Sequence, residues 1–123
     1  MSKNLAIAVI DDDASFRVAL VESLSSLGYE TSGYAAAEDY LCGIANGSFD
    51  CVVSDIHMPG MSGLELMKRL AARGGSTIPV VLITARSDSS LEVKATVAGA
   101  ASLLRKPFEI NDLIKCIEEA VKG

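Results

Sequence analysis

The 123 residues carry a formal net charge of −5, are half hydrophobic, and include three cysteines and a single histidine. At roughly 100 to 200 residues per domain this length bounds the chain at one domain, and its acidic balance excludes a phosphate-backbone-binding surface, so no direct nucleic-acid binding is expected. No apolar run approaches the roughly 20 residues that span a bilayer, and residues 1–4 (MSKN) are too short and polar for a secretory signal, so no membrane contact and a cytoplasmic location are expected.

Taken in chain order, residues 5–10 (LAIAVI) are continuously apolar and predict a buried strand, with Asp11 to Ala14 supplying turn and cap residues. A helix is predicted over 14–27, with Phe16, Leu20, Leu24 and Leu27 as its apolar stripe and Gly28 as its stop. The polar run 29–34 reads as an edge strand, and a short helix at 36–45 follows, ending near Asn46-Gly47. A strand at 50–54 leads into a loop over 55–62 punctuated by Pro59 and Gly60. The helix predicted over 63–72 places Leu64, Met67, Leu70 and Ala71 on one face, with Gly74-Gly75 beyond it.

Residues 78–83 and 101–105 predict two more buried strands, and 109–122 a last helix with Ile110, Leu113, Ile114, Ile117 and Val121 as its stripe. The helix between Asp88 and Ala98 is the weakest in apolar anchors. Strand and helix thus alternate five times, the pattern of an α/β doubly wound parallel sheet. Cys42, Cys51 and Cys116 include no C-x-x-C pair and are odd in number, which predicts buried or partly buried free thiols rather than disulfides or a zinc site.

Four of the apolar runs end on residues useful to phosphate chemistry: Asp11 and Asp12, Asp55, Thr84, and Lys106. Polar residues follow strands in any case because loops are polar. In an open parallel sheet, however, ligands gather outside the carboxyl ends of the strands, so these residues would share one crevice. Carboxylates clustered there repel by about 4 kcal/mol per pair at ~4 Å and an effective dielectric of ~20, and therefore ask for a metal or a lysine. Three carboxylates, a hydroxyl and an ammonium together point to metal-assisted phosphoryl chemistry.

The same residues sit in motifs: V-I-D-D-D after the first strand, V-V-S-D-I-H-M-P-G-M-S-G-L-E-L around Asp55, I-T-A at Thr84, G-A at Gly99-Ala100, and K-P-F from Lys106. Across about residues 5–122 the chain resembles a response-regulator receiver domain of two-component signalling, nearest in flavour to the receivers of FixJ-type transcription regulators. The resemblance implies one receiver domain over residues 1–123, with a flavodoxin-like (βα)5 fold and strand order 2-1-3-4-5. It implies a phosphoacceptor switch, not an enzyme, that assists its own phosphorylation and dephosphorylation.

Asp55 would be the nucleophile, accepting a phosphoryl group from a sensor histidine kinase or phosphotransfer protein. Asp11, Asp12, Asp55 and the backbone carbonyl of His57 would hold Mg²⁺. Lys106 and Thr84 would contact the phosphoryl oxygens. The Lys106-Pro107 bond resembles one that is cis in this family, and Asp13 is read as a helix cap in preference to a metal ligand. Arg86 either pairs with the phosphoryl group or is solvated, and with His57 it would influence acyl-phosphate lifetime. The family commonly pairs or signals through its fourth helix, fifth strand and fifth helix, so residues 88–122 are the segment through which a homodimer would form, and the sequence leaves open whether one does.

One position departs from the family. The aromatic switch residue three before the lysine is Leu103 here, so output is expected to run from Thr84 through the loop to Ser90 and the following helix. Two other functions fit part of the pattern. Asp11-x-Asp13 after a first apolar strand also suits a haloacid-dehalogenase-like phosphatase, although no further acidic pair follows the lysine strand. A pseudo-receiver interaction module would keep the fold without phosphorylation; the intact Asp11, Asp12, Asp55, Thr84 and Lys106 oppose it.

Overall fold

The apolar runs become the strands of one parallel sheet in the computed structural model, which describes residues 5–43, 49–73, 78–86 and 88–122. In chain order the elements are β1 (Ala6–Ile10), α1 (Ala14–Ser26), β2 (Glu30–Tyr34), α2 (Ala37–Gly43), β3 (Cys51–Asp55), α3 (Gly63–Arg73), β4 (Val80–Thr84), α4 (Ser89–Ala98), β5 (Ser102–Arg105) and α5 (Ile110–Lys122). The five strands run β2-β1-β3-β4-β5, as the resemblance implied. The expected helix end near Asn46-Gly47 and the Gly74-Gly75 stop lie outside the described residues.

The order follows from burial. β1, β3 and β4 are apolar on both faces and take the centre, whereas the polar β2 keeps Glu30, Ser32 and Gly33 exposed at an edge. Strand alternation then splits the core in two. Ile7, Val9, Val53, Val81 and Ile83 face Leu20 and Leu24 of α1 and Leu113 and Ile117 of α5. Ala8, Ile10, Val52 and Leu82 face Tyr40 of α2, Leu66 of α3 and Leu91 of α4.

Several boundaries and stripes need correction. β3 and β4 extend to include Asp55 and Thr84, because those residues still pair with or beside Ile83 in the ladder, while the fourth and fifth strands begin only at Val80 and Ser102. Leu27 is 54% exposed because it is the C-cap of α1, past its last turn, where Gly28 at φ 102° lets Tyr29 N–H donate to Leu24 O and end the helix. In α3 the fully buried residue is Leu66, which the predicted stripe omitted, and Ala71 is exposed. Val121, in the last turn of α5, is likewise exposed. Among the described residues no helix is long and apolar enough to cross a membrane.

The thiols differ from one another. Cys42 is exposed on α2, against the expectation of burial, whereas Cys51 is wholly buried mid-sheet, where burial pushes its thiol up to about 12. Since the thiolate is the reactive form, iodoacetamide is expected to alkylate native protein first at Cys42 and to reach Cys51 only after denaturant is added. Peptide mapping of a labelling time course checks this, and equal rates at the two sites would contradict it.

Candidate functional site

The carboxyl ends of β1, β3, β4 and β5 deliver the predicted residues to one crevice. Carboxylate oxygens of Asp11, Asp12 and Asp55 all lie within 4.8 Å of one another. Asp11 is fully buried and Asp55 nearly so, while Asp12 is exposed at the mouth. Lys106, one residue beyond β5, donates from Nζ to Asp11 Oδ2 at 2.9 Å and to Asp55 Oδ2 at 3.4 Å. Its own N–H donates to the Thr84 carbonyl at 2.8 Å, which fastens the lysine segment to the end of β4.

One ammonium faces three carboxylates, so the crevice retains excess negative charge. Burial raises the Asp55 carboxyl above its ordinary range and neighbouring Asp11 raises it further, against the pull of Lys106 and of the His57 N–H that approaches Asp55 Oδ1 at 3.4 Å. Burial opposes the charge on Lys106 too, but its hydrogen bond to Asp11 and the charges of Asp55 and Asp11 outweigh that and leave it raised. An all-oxygen donor set, crowded and short of positive charge, fits a hard divalent cation.

Residues that sequence reasoning treated as ordinary turn out to hold this arrangement. Phe16, predicted only as part of an apolar stripe, lies under Lys106 with Nζ 4.1 Å from its ring centroid, and Phe108 braces Phe16 edge-on at 6.0 Å. Arg17 donates from Nη1 to the Asp11 carbonyl at 2.7 Å. Glu38, on α2, accepts the Met61 N–H at 3.1 Å and ties down the segment after His57. None of these carries a spacing signal, since each acts across 6 to 23 or more positions of chain. Gly63 is required by close approach: a Cβ there would sit 2.5 Å from the Asp55 carbonyl oxygen.

Thr84 is fully buried, and its Oγ1 accepts the Arg86 N–H at 3.1 Å, whereas Arg86 is exposed. Asp13 caps α1 by accepting the Phe16 N–H at 3.2 Å, the role preferred for it over metal binding. The Lys106-Pro107 bond is cis. His57 Nε2 is buried with no hydrogen-bond partner among the described residues. Leu103 is not brought to the crevice: it pairs with Leu82 and packs against the core beneath α2, α3 and α4.

A family model described as the response regulator receiver domain matches residues 7–118. The chain belongs to that family. This receiver is 41% identical over 116 residues to the transcriptional regulatory protein FixJ of Bradyrhizobium diazoefficiens, covering 94% of its own length and 56% of the relative. It is 36% identical over 113 residues to the DNA-binding transcriptional regulator NtrC of Salmonella typhimurium, covering 92% of its own length and 24% of that protein. The crystal structure of FixJ-N superimposes with a TM-score of 0.90 at 30% identity, over 98% of this chain and 96% of that one. The receiver thus spans about half the length of FixJ and about a quarter of NtrC.

Proposed function

We propose that residues 1–123 act as one receiver domain that takes a phosphoryl group onto Asp55 from a phosphohistidine of a cytoplasmic sensor histidine kinase or phosphotransfer protein, and that it works as a switch rather than an enzyme. The observation that carries this reading is the three carboxylates within 4.8 Å of one another beneath a single lysine bonded to two of them. An Asp55 carboxylate oxygen attacks phosphorus, the phosphorus–nitrogen bond breaks, and the imidazole leaves with that electron pair, so Asp55 becomes an acyl phosphate. Asp11, Asp12, Asp55 and the His57 carbonyl would hold Mg²⁺, which when bound neutralises and orients the phosphoryl oxygens.

The protein's own groups supply the rest. Lys106 stays charged in its partly buried position and can move its second hydrogen bond from Asp55 to a phosphoryl oxygen, while Asp11 keeps hold of the first. Thr84 accepts the Arg86 N–H with an oxygen lone pair, which leaves its own proton for the phosphoryl group. A hydroxyl drawn toward Asp55 pulls the segment leading to α4. Output therefore runs through residues 84–90 and α4, since Leu103 has no phenolic hydroxyl and is already committed to the core. Pairing of two copies through residues 88–122 would use the β5 flank of α4, where Glu92 and Arg105 meet at 3.5 Å.

The deciding experiment is intact mass after incubation with acetyl phosphate and Mg²⁺. Wild type is expected to gain one phosphoryl group and Asp55→Asn none. A folded wild-type protein that gains nothing would overturn the reading in favour of a phosphorylation-independent interaction module.

A further inference from the structure

α4 is apolar on both sides. Leu91 and Ala95, one turn apart, are buried against the sheet, yet Val93 and Val97, also one turn apart, are 64% and 81% exposed. β-branched residues are poor choices for an exposed helical surface, where lysine, glutamate or glutamine would favour the helix more. The two valines therefore cost local helix stability while staying largely exposed.

They form one wall of a groove. Met67 and Ala71 of α3 form the other, and the groove encloses about 560 Å³. Its apolar floor lacks the convergent polar groups that orient a small ligand, and its polar character comes from Lys68 on one wall and Lys94 on the other. The neighbouring acids are engaged elsewhere: Glu92 pairs with Arg105, and Glu65 accepts the Ser62 N–H at 3.0 Å. Among the described residues neither lysine has a carboxylate within ion-pair distance. In a chain of net charge −5 two ammonium groups, neither ion-paired among the described residues, thus flank an apolar slot.

We propose that the α3–α4 groove is a docking site for an acidic amphipathic helix, with aliphatic side chains seated between Val93, Val97 and Met67 and carboxylates reaching Lys68 and Lys94. A third helix lying between two others is the geometry such a slot accepts. Self-pairing of the same surface is disfavoured, because a two-fold axis through the groove would set the lysines of one copy against those of the other. α5, the amphipathic helix carrying Glu118 and Glu119, already buries its apolar row, Leu113 and Ile117, in its own core. The inference goes beyond phosphorylation of Asp55 and stands or falls separately from it.

The test titrates the unphosphorylated protein into a fluorescein-labelled helical peptide of about five turns, with leucines spaced i, i+3, i+4 and i+7 and glutamates flanking them. Saturable binding is expected, weakened about tenfold or more both by Val93→Ser/Val97→Ser and by Lys68→Glu/Lys94→Glu. A peptide with lysine in place of glutamate should bind the charge-reversed protein and not the wild type. All four side chains are exposed, so circular dichroism should show each variant folded. Absent binding, or binding that either variant leaves unchanged, would overturn the proposal. So would a wild-type dimer in sedimentation that the serine variant dissolves and the acidic peptide does not displace, since the occupant would then be a second copy.

Discussion

Lys106→Met is expected to lower the stability of the metal-free protein by about 3 kcal/mol, the scale of breaking a buried ion pair from one side. Methionine keeps much of the apolar stem and removes the charge that sits over the Phe16 ring. Asp11, fully buried, then loses its 2.9 Å partner, and Asp55 loses the cation that opposes its burial and the repulsion of Asp11. Saturating Mg²⁺ should recover part of the loss, because a divalent cation would balance the same carboxylates. Urea unfolding in EDTA and in Mg²⁺ measures both effects. A variant within about 0.5 kcal/mol of wild type in EDTA would show that the lysine is not what balances the crevice.

Gly63→Ala is expected to cost about 3 kcal/mol through overpacking that side-chain rotation cannot relieve. The added Cβ would meet the Asp55 carbonyl oxygen at 2.5 Å and Ile56 Cα at 3.1 Å, both backbone atoms. Either α3 must lift from the sheet or the end of β3 must move, and Asp55 moves with it. The variant should therefore unfold at lower urea and, where still folded, accept phosphate from acetyl phosphate more slowly. An unchanged urea midpoint would mean that α3 tolerates the displacement.

What the sequence made legible was whatever periodicity or order could encode. Continuous apolar runs marked β1, β3 and β4 because strands buried on both faces have no polar side to show. The crevice was readable because the doubly wound topology gathers strand ends, so Asp11, Asp12, Asp55, Thr84 and Lys106 could be assembled from their order alone. The hydrogen bond from Met61 N–H to Glu38 was not readable, because a carboxylate reaching a backbone amide across the surface leaves no periodic trace. Phe16 was assigned to the core on spacing, and only the packed geometry shows its ring spent on Lys106. Leu27 failed because a stripe extrapolated by spacing does not register where the helix stops: α1 ends at Ser26 and Leu27 is already its cap.

The ion pair between Lys106 and Asp11 joins residues 95 positions apart, and the strand that precedes the lysine is the fifth of the five in chain order. A growing chain leaving the ribosome exposes all three carboxylates before their counter-charge exists. Until β5 docks beside β4, the acidic crevice is electrostatically incomplete and the sheet has an unfinished edge. Finishing the fold and balancing the charge of the crevice are consequently a single event, so a half-made chain carries three clustered carboxylates with no ammonium among them.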